Sequence, residues 1–316
     1  MGLLVAPLAL LIERIAGYPP ALFRAIGHPV TWIGALIVWL ESRLNGGSRR
    51  RVKGVVMLVL LLGSGLAASL LIIGFTRRIP FGFVIEGVLA SSLLAQKELG
   101  RSVRAVADAL GISLAAGRKE VAQIVGRDPD ALDTAGVSRA AIESLAESTS
   151  DGIVAPLFWL LLLGLPGIVL YKAANTADSM VGHRTERYEQ FGWASAKFDD
   201  LVNFIPARLT ALLVSGAAFF VRRADAQQAL AMALRDARKH ASPNAGWPEA
   251  AFAGALGLRL GGPRSYGGEV HELPAFGDGR GELGPADIFK ALELYWQALN
   301  ILLALTVAIG VIALII

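Results

Sequence analysis

No cysteine occurs in the chain. Disulfides, thiolate metal sites and cysteine nucleophiles are therefore excluded, although this absence alone does not decide the compartment. Charge is scarce as well. Asp, Glu, Lys and Arg make up 18% of the residues, where soluble domains carry roughly a quarter. There is no G-x-x-x-x-G-K-[ST] phosphate loop and no H-E-x-x-H motif, and the four histidines suggest no Ser-His-Asp triad. No strand-like alternation is sustained, which points away from a sheet protein. The net charge is only +4 and its basic residues are clustered locally. That pattern suits membrane orientation better than nucleic acid, so no nucleic-acid partner is expected.

What the chain has in abundance is apolar sequence. Hydrophobic residues reach 54% and mean hydropathy is +0.54. Residues 54–76 and 294–316 are uncharged runs of 23 residues each. Both exceed the roughly 20 residues a helix needs to cross the hydrocarbon layer. The expected fold is all-α, a polytopic integral membrane protein with short or broken helices and two polar helical or loop regions on the cytoplasmic side. The N-terminus ends its apolar run in Glu13 and Arg14 rather than in a small-residue cleavage site, so a retained helix over 3–16 is expected. A second short helix is expected over 29–44. Arg49, Arg50, Arg51 and Lys53 then mark a cytoplasmic loop. Residues 54–76 cross and 79–96 return, interrupted by Glu86.

Five regions follow: N-terminal membrane helices at 1–96, a cytoplasmic polar helical region at 97–150, a membrane core with polar motifs at 151–221, a cytoplasmic Gly/Pro-rich region at 222–293, and a terminal anchor at 294–316. Within the core, 152–170 has no charged residue, but Pro156, Gly164, Pro166 and Gly167 permit a broken or re-entrant helix. A further span is expected over 203–221.

Polar chemistry flanks the 152–170 run. Ionisable groups at a bilayer edge are costly unless paired, solvated or ligand-bound. Glu143, Glu147 and Asp151 are spaced i, i+4, i+8, which on a helix is one face. They suit a hard cation such as Mg²⁺, or form a solvated acidic face. Ser148, Thr149 and Ser150 weaken the helix before Asp151. Asn175 and Asp178 are i, i+3, and Asp199 and Asn203 are i, i+4. Such pairs hold a metal, bind a polar substrate or cap helices. Arg184, Arg187, Lys197 and Arg208 suit phosphate or carboxylate, or snorkel to headgroups. His183 and His28 are ambiguous. Gly126-Arg127-Asp128-Pro129 is a turn that could grip a ligand, and Gly261, Gly262, Gly267 and Gly268 could offer backbone N–H groups to phosphate.

The strings AIGHPVTWIG, GRDPDALD, SRAAIESLAE, SDGIVAPLFW, YKAANTADSMVGHRTERYEQFGWASAKFDDLVNFIPARLTA and SPNAGWPEAAFAGALG occur in this order. Together they resemble the adenosylcobinamide-phosphate synthase family of cobalamin biosynthesis, over about residues 17–270. The resemblance implies an enzyme of the bacterial cytoplasmic (inner) membrane. It would be an ATP-dependent ligase joining the free propionate carboxyl of adenosylcobyric acid, a corrinoid, to the amine of aminopropanol or its O-phosphate. The carboxylates are expected to hold Mg²⁺ against the ATP phosphates, and a homo-oligomer or a complex with other late-pathway membrane enzymes is an open expectation.

Carried onto this chain, the catalytic candidates are Asp151, Asp178, Asp199, Asp200 and Arg208. The metal candidates are Glu143, Glu147, Asp151, Asp178 and Asp199, and the ligand-binding candidates are Asp128, Asn175, Ser179 and Asn203, to which guanidinium chemistry adds Arg184 and Arg187 as phosphate-binding groups. Two positions depart from the family pattern: Gly17-Tyr18-Pro19 stands where the family reads Gly-Asp-Pro, and Ser148 stands where it has Asn. The alternative from another class is a transporter or binding protein for a corrinoid or other anion, which intramembrane polar groups and broken helices also fit. The two polar regions and the lack of an internal repeat favour the enzyme.

Overall fold

The computed structural model describes every residue except Met1, Arg127, Pro263, Gly267, Gly268, Glu272 and Ile316. The expectations placed on Arg127, Gly267 and Gly268 lie outside the described residues. The remainder forms α1 (Gly2–Ala16), α2 (Pro20–Ile26), α3 (Pro29–Leu44), α4 (Arg50–Thr76), α5 (Gly82–Ser91), α6 (Gln96–Ile112), α7 (Leu114–Val121) and α8 (Thr134–Thr149), then a π-turn (Ser150–Val154). There follow α9 (Ala155–Leu163), α10 (Leu165–Val181), α11 (Trp193–Val202), α12 (Phe204–Ala218), α13 (Ala226–Asp236), α14 (Gly246–Leu256) and α15 (Pro285–Ile315). Two short antiparallel ladders lie between α14 and α15. One pairs β1 (Leu260–Gly261) with β4 (Ala275–Phe276), the other β2 (Arg264–Tyr266) with β3 (Glu269–His271).

This is an all-α polytopic membrane protein. Among the described residues four helices are long and apolar enough to cross a bilayer: Pro20–Leu44, Arg50–Thr76, Thr134–Leu163 and Pro285–Ala313. Trp193–Val202 and Phe204–Ala218 qualify together only as a bent pair, so the stretch expected as one span over 203–221 is instead the short helix α12. On α4, Val52, Val59, Leu70, Leu71 and Phe75 are exposed. An apolar face of that extent needs lipid around it.

Over the expected return at 79–96 the described residues form no helix long enough to cross a bilayer. The helix there, α5, has 10 residues, about 15 Å at 1.5 Å per residue. Gly82 closes so tightly on the Thr76 carbonyl that a Cβ there would lie 2.0 Å from it. The Thr76 hydroxyl donates to Glu86 Oε1 at 2.6 Å, satisfying the buried acid locally. At the far end the Ser91 and Ser92 hydroxyls turn back onto the Val88 and Leu89 carbonyls. The 152–170 run is broken, as its glycines and prolines permit. Gly164 takes φ +68 between α9 and α10, and Gly167 approaches the Trp159 carbonyl so closely that only hydrogen fits.

The chain divides into two compact units. Unit 1 comprises Met1–Ala95, Ala155–Asn203 and Leu305–Ile316. Its core joins Ile37 and Leu40 of α3, Met57 and Leu61 of α4, Ala173, Ala177 and Val181 of α10, and Phe191. Small residues let backbones meet: a Cβ on Gly54 would lie 1.8 Å from the Phe191 carbonyl oxygen. Tyr18, at the departure from the family pattern, donates to the Gly27 carbonyl at 2.7 Å and packs edge-on against His28. It braces the turn that starts α3, a task an Asp would not perform in this way.

Unit 2 comprises Gln96–Val154 and Phe204–Ala304. Its centre is α14, whose Ala250, Ala251, Phe252 and Ala253 are fully buried. Asp133, Asp225 and Ser113 cap α8, α13 and α7 through their side chains. Asp236, wholly buried, receives Arg235 at 2.6 Å, Lys239 at 2.7 Å and the Gly277 amide at 2.8 Å. It thereby ties α13 to the chain entering α15. Burial alone would push its carboxyl up. The hydrogen bonds from Arg235, Lys239 and Gly277 outweigh that and hold it well below the usual carboxylate range.

A depressed folded pKa gives stability that is present above the unfolded value of about 3.9 and is lost as pH falls through the folded one. Thermal unfolding of the wild type should therefore show no Asp236 contribution to pH dependence between neutrality and about pH 5, with the loss beginning only below about pH 4. Asp236→Asn should cost about 3 kcal/mol at neutral pH, the scale of a charge-assisted hydrogen bond. It should also flatten the acid limb of the melting profile.

Candidate functional site

The apolar–polar boundary of unit 1 concentrates carboxylates and carboxamides. Asp199 of α11 is 9% exposed, and each of its oxygens accepts from an amide. Asn175 Nδ2 of α10 donates to Oδ1 at 3.3 Å, and Asn203 Nδ2, one turn on, donates to Oδ2 at 2.9 Å. The Asn203 Oδ1 in turn accepts the Tyr171 hydroxyl at 2.9 Å. Tyr171 is buried, and it joins Ala155, Ala174 and Val202 in a small apolar cluster beneath the polar groups. The Trp159 indole donates to the Val202 carbonyl at 3.1 Å, fixing the end of α11.

Asp178, one turn after Asn175 on α10, acts electrostatically on Asp199, and Asp200 and His183 act on Asp178 in the same way. Its carboxylate lies against Gly182, where an added Cβ would meet Asp178 Oδ1 at 1.9 Å. Gly192, just before α11, presses on the Val181 carbonyl, where a Cβ would lie at 1.6 Å. These two glycines close the 182–192 segment onto α10. Asp200 accepts from Lys197 at 3.2 Å.

Unit 1 thus brings together Asn175, Asp178, Asp199, Asp200 and Asn203. Ser179 is exposed and returns its hydroxyl to the Asn175 carbonyl at 2.9 Å. Arg184 is exposed. Arg187 forms a two-pronged pair with Glu41 of α3 at 3.1 and 3.0 Å, so it serves a cleft of its own.

The remaining candidates belong to unit 2. Glu143 is buried on α8, and its Oε1 accepts the Gly261 amide at 2.6 Å, which anchors β1. Glu147 is exposed and Asp151 half-buried. The α-helical spacing ends at Thr149, so Asp151 sits within the π-turn rather than on the regular face of Glu143 and Glu147. π-turns recur at functional sites. Arg208 on α12 stacks over Phe204 at 3.5 Å and Trp247 at 4.7 Å, and reaches Asn244 Oδ1 at 3.4 Å. Asp128 is exposed and accepts the Asp130 amide at 2.9 Å in a local turn.

Tyr171, Gly182, Gly192 and Trp247 were not singled out from sequence. Tyr171, Asn175 and Asp178 at i, i+4, i+7 carried a detectable helical-face signal. The glycines carried none, because their role depends on which carbonyl they meet.

Among the described residues no three His, Asp or Glu side chains gather into a metal cage. The donor set at Asp178 and Asp199 is nevertheless all oxygen at its carboxylates. It fits a Mg²⁺ that takes one or two carboxylates and fills its shell with water and substrate phosphate.

The family model for CobD/Cbib protein matches residues 6–295. The chain belongs to the CobD/CbiB family. The "Cobalamin biosynthesis protein CobD" of Brucella suis biovar 1 is 48% identical over 320 residues, covering 99% of this chain and 98% of its own. The protein of that name from Rhodobacter capsulatus is 49% identical over 305 residues, 96% of this chain and 94% of its own. A third, from Sinorhizobium sp, is 48% identical over 318 residues, covering 98% of each. No solved structure matches. Family membership assigns the chain to cobalamin biosynthesis.

Proposed function

We propose that this chain is an ATP-dependent acid–amine ligase acting late in cobalamin biosynthesis. It would join the propionate carboxyl of adenosylcobyric acid to the amine of aminopropanol or its O-phosphate, at the cytoplasmic face of the bacterial inner membrane. The observation that carries this reading is Asp199, buried, held by two carboxamides and faced by Asp178, in a chain of the CobD/CbiB family. A buried carboxylate repelled by a second one is an arrangement built for a cationic partner rather than for stability.

A carboxylate does not react usefully with an amine near neutrality. In the proposed sequence its oxygen attacks the γ-phosphorus of ATP, the bond to the ADP oxygen breaks, and an acyl phosphate forms. The neutral amine then attacks the acyl carbon, the carbon–oxygen bond to phosphate breaks, and phosphate leaves. The nitrogen gives its proton to a carboxylate, for which Asp200, bridged to Lys197, is the candidate base.

Asp178 and Asp199 would hold Mg²⁺, which when bound neutralises phosphate charge. Asn175 and Asn203 orient Asp199, and Tyr171 fixes Asn203. Gly182 keeps the Asp178 carboxylate in place. Within unit 2, Arg208 stacks on Phe204 and Trp247, a guanidinium of the kind suited to phosphate or carboxylate. The apolar floor of Ala155, Tyr171 and Ala174 limits the water that would hydrolyse an acyl phosphate.

Purified wild type in detergent should form amide from adenosylcobyric acid only when ATP and amine are both supplied. Asp178→Ala should insert normally and form none. Amide formation without nucleotide would refute the ligase, and ATP-independent corrinoid uptake in liposomes would favour a transporter.

A further inference from the structure

We propose that unit 1 carries a second binding site, for a phosphate bearing a short alkyl amine, in the cleft where α3 ends and α4 begins. The cleft encloses about 560 Å³ and is lined by Glu41, Asn45, Arg50, Glu186 and Arg187, with Gly46 and Gly47 at its edge. This is the size range of small-molecule sites.

The walls are pre-set. Arg50 donates from Nε to Asn45 Oδ1 at 2.9 Å and also bonds the Arg187 and Glu186 carbonyls. Asn45 donates to Glu41 Oε1 at 2.8 Å, and Glu41 takes both prongs of Arg187. The Arg187–Glu41 pair neutralises itself. Arg50 hydrogen-bonds to carbonyl and carboxamide oxygens and is also drawn electrostatically to Glu41, and Lys53 adds a cation at the rim, where it bonds the Gly46 carbonyl. The exposed Glu186 adds a second carboxylate to the lining. Arginine and lysine cations set among the carboxylates of Glu41 and Glu186 complement a molecule that is anionic at one end and cationic at the other. A simple anion would leave Glu186 facing it at a cost.

The cleft also lies at headgroup depth. The candidate spans Pro20–Leu44 and Arg50–Thr76 end on either side of it. Two exposed tryptophans flank this level, Trp39 with Arg43 at 5.5 Å over its ring and Trp193 with Arg51 at 3.7 Å. Tryptophan and arginine at helix ends mark the membrane–water interface.

An amino-alkyl phosphate reaches such a site from two sources, as the headgroup of a phosphatidylethanolamine or as a free amino-alcohol phosphate. The second source rests on the ligase reading; the first stands without it.

The test uses the full chain and requires no turnover. O-phosphoethanolamine and inorganic phosphate are titrated calorimetrically against protein in phosphatidylglycerol nanodiscs. In parallel, native mass spectrometry compares retained phosphatidylethanolamine with phosphatidylglycerol. The aminated member should be preferred in at least one arm, and the arm identifies the source. Arg50→Gln should weaken that binding about tenfold, the worth of one charge-assisted bond. Glu186→Gln, a surface change that leaves the fold alone, should abolish the preference for the amine while leaving phosphate binding intact. Equal binding of aminated and unaminated forms in both arms, or an unchanged preference in Glu186→Gln, overturns the site. Because only binding is read, a failed ligase assay and a failed cleft are separate results.

Discussion

Asp199→Ala protein should reach the membrane at wild-type level and form amide at least about a thousandfold more slowly, the upper range for removing one electrostatic contributor to a transition state. The loss should fall on kcat. Removing the carboxylate also frees Asn175 and Asn203 from their shared acceptor, but the Tyr171 bond to Asn203 and the apolar floor survive. Folding should therefore be retained, and a melting comparison checks it. Asp199→Asn separates charge from shape: it keeps the volume and one acceptor oxygen. If charge is what the site needs, Asn should be nearly as inactive as Ala. Recovery of turnover in Asn would reduce Asp199 to a hydrogen-bonding part.

Gly182→Ala is expected to have the second-largest effect, through a residue with no functional group. Its Cβ would fall 1.9 Å from Asp178 Oδ1 and 2.7 Å from the Asp178 carbonyl oxygen. The side chain is the cheaper of the two to move, so the carboxylate should be displaced while α10 persists. A misplacement on the scale of 1 Å costs about a hundredfold in rate. Gly182→Ala should therefore lose about that much turnover with little change in melting. Gly192→Ala makes the contrast: its Cβ meets backbone at Val181, so that variant should lose stability first. If Gly182→Ala melts early and keeps its specific activity, the glycine is a packing residue and Asp178 is not held in the way described.

Local spacing carried part of this site into view. Asp199 and Asn203 at i, i+4 pair as a helix requires, and the proline and glycine content of 152–170 announced the break at Gly164. Tertiary partners were hidden. Nothing in the string NTADSM says that Asn175 will donate to Asp199 on another helix, or that Arg187 will be spent on Glu41. The acidic spacing of Glu143, Glu147 and Asp151 misled in part, because regular helix stops at Thr149 and the π-turn carries Asp151 off the expected face. Length also misled over 79–96. Hydropathy counts apolar residues but does not see that Gly82 folds back on Thr76 and that Glu86 finds its partner there. The β-ladders between α14 and α15 are too short to leave an alternating pattern.

The most direct measurement follows oxygen. Adenosylcobyric acid labelled with ¹⁸O in its free carboxyl is turned over by wild-type protein with ATP and amine, and the released phosphate is weighed by mass spectrometry. The account predicts one label in phosphate for each amide formed, and both products about a thousandfold more slowly from Asp199→Ala. Amide accompanied by unlabelled phosphate, or label transfer undiminished in Asp199→Ala, would contradict it.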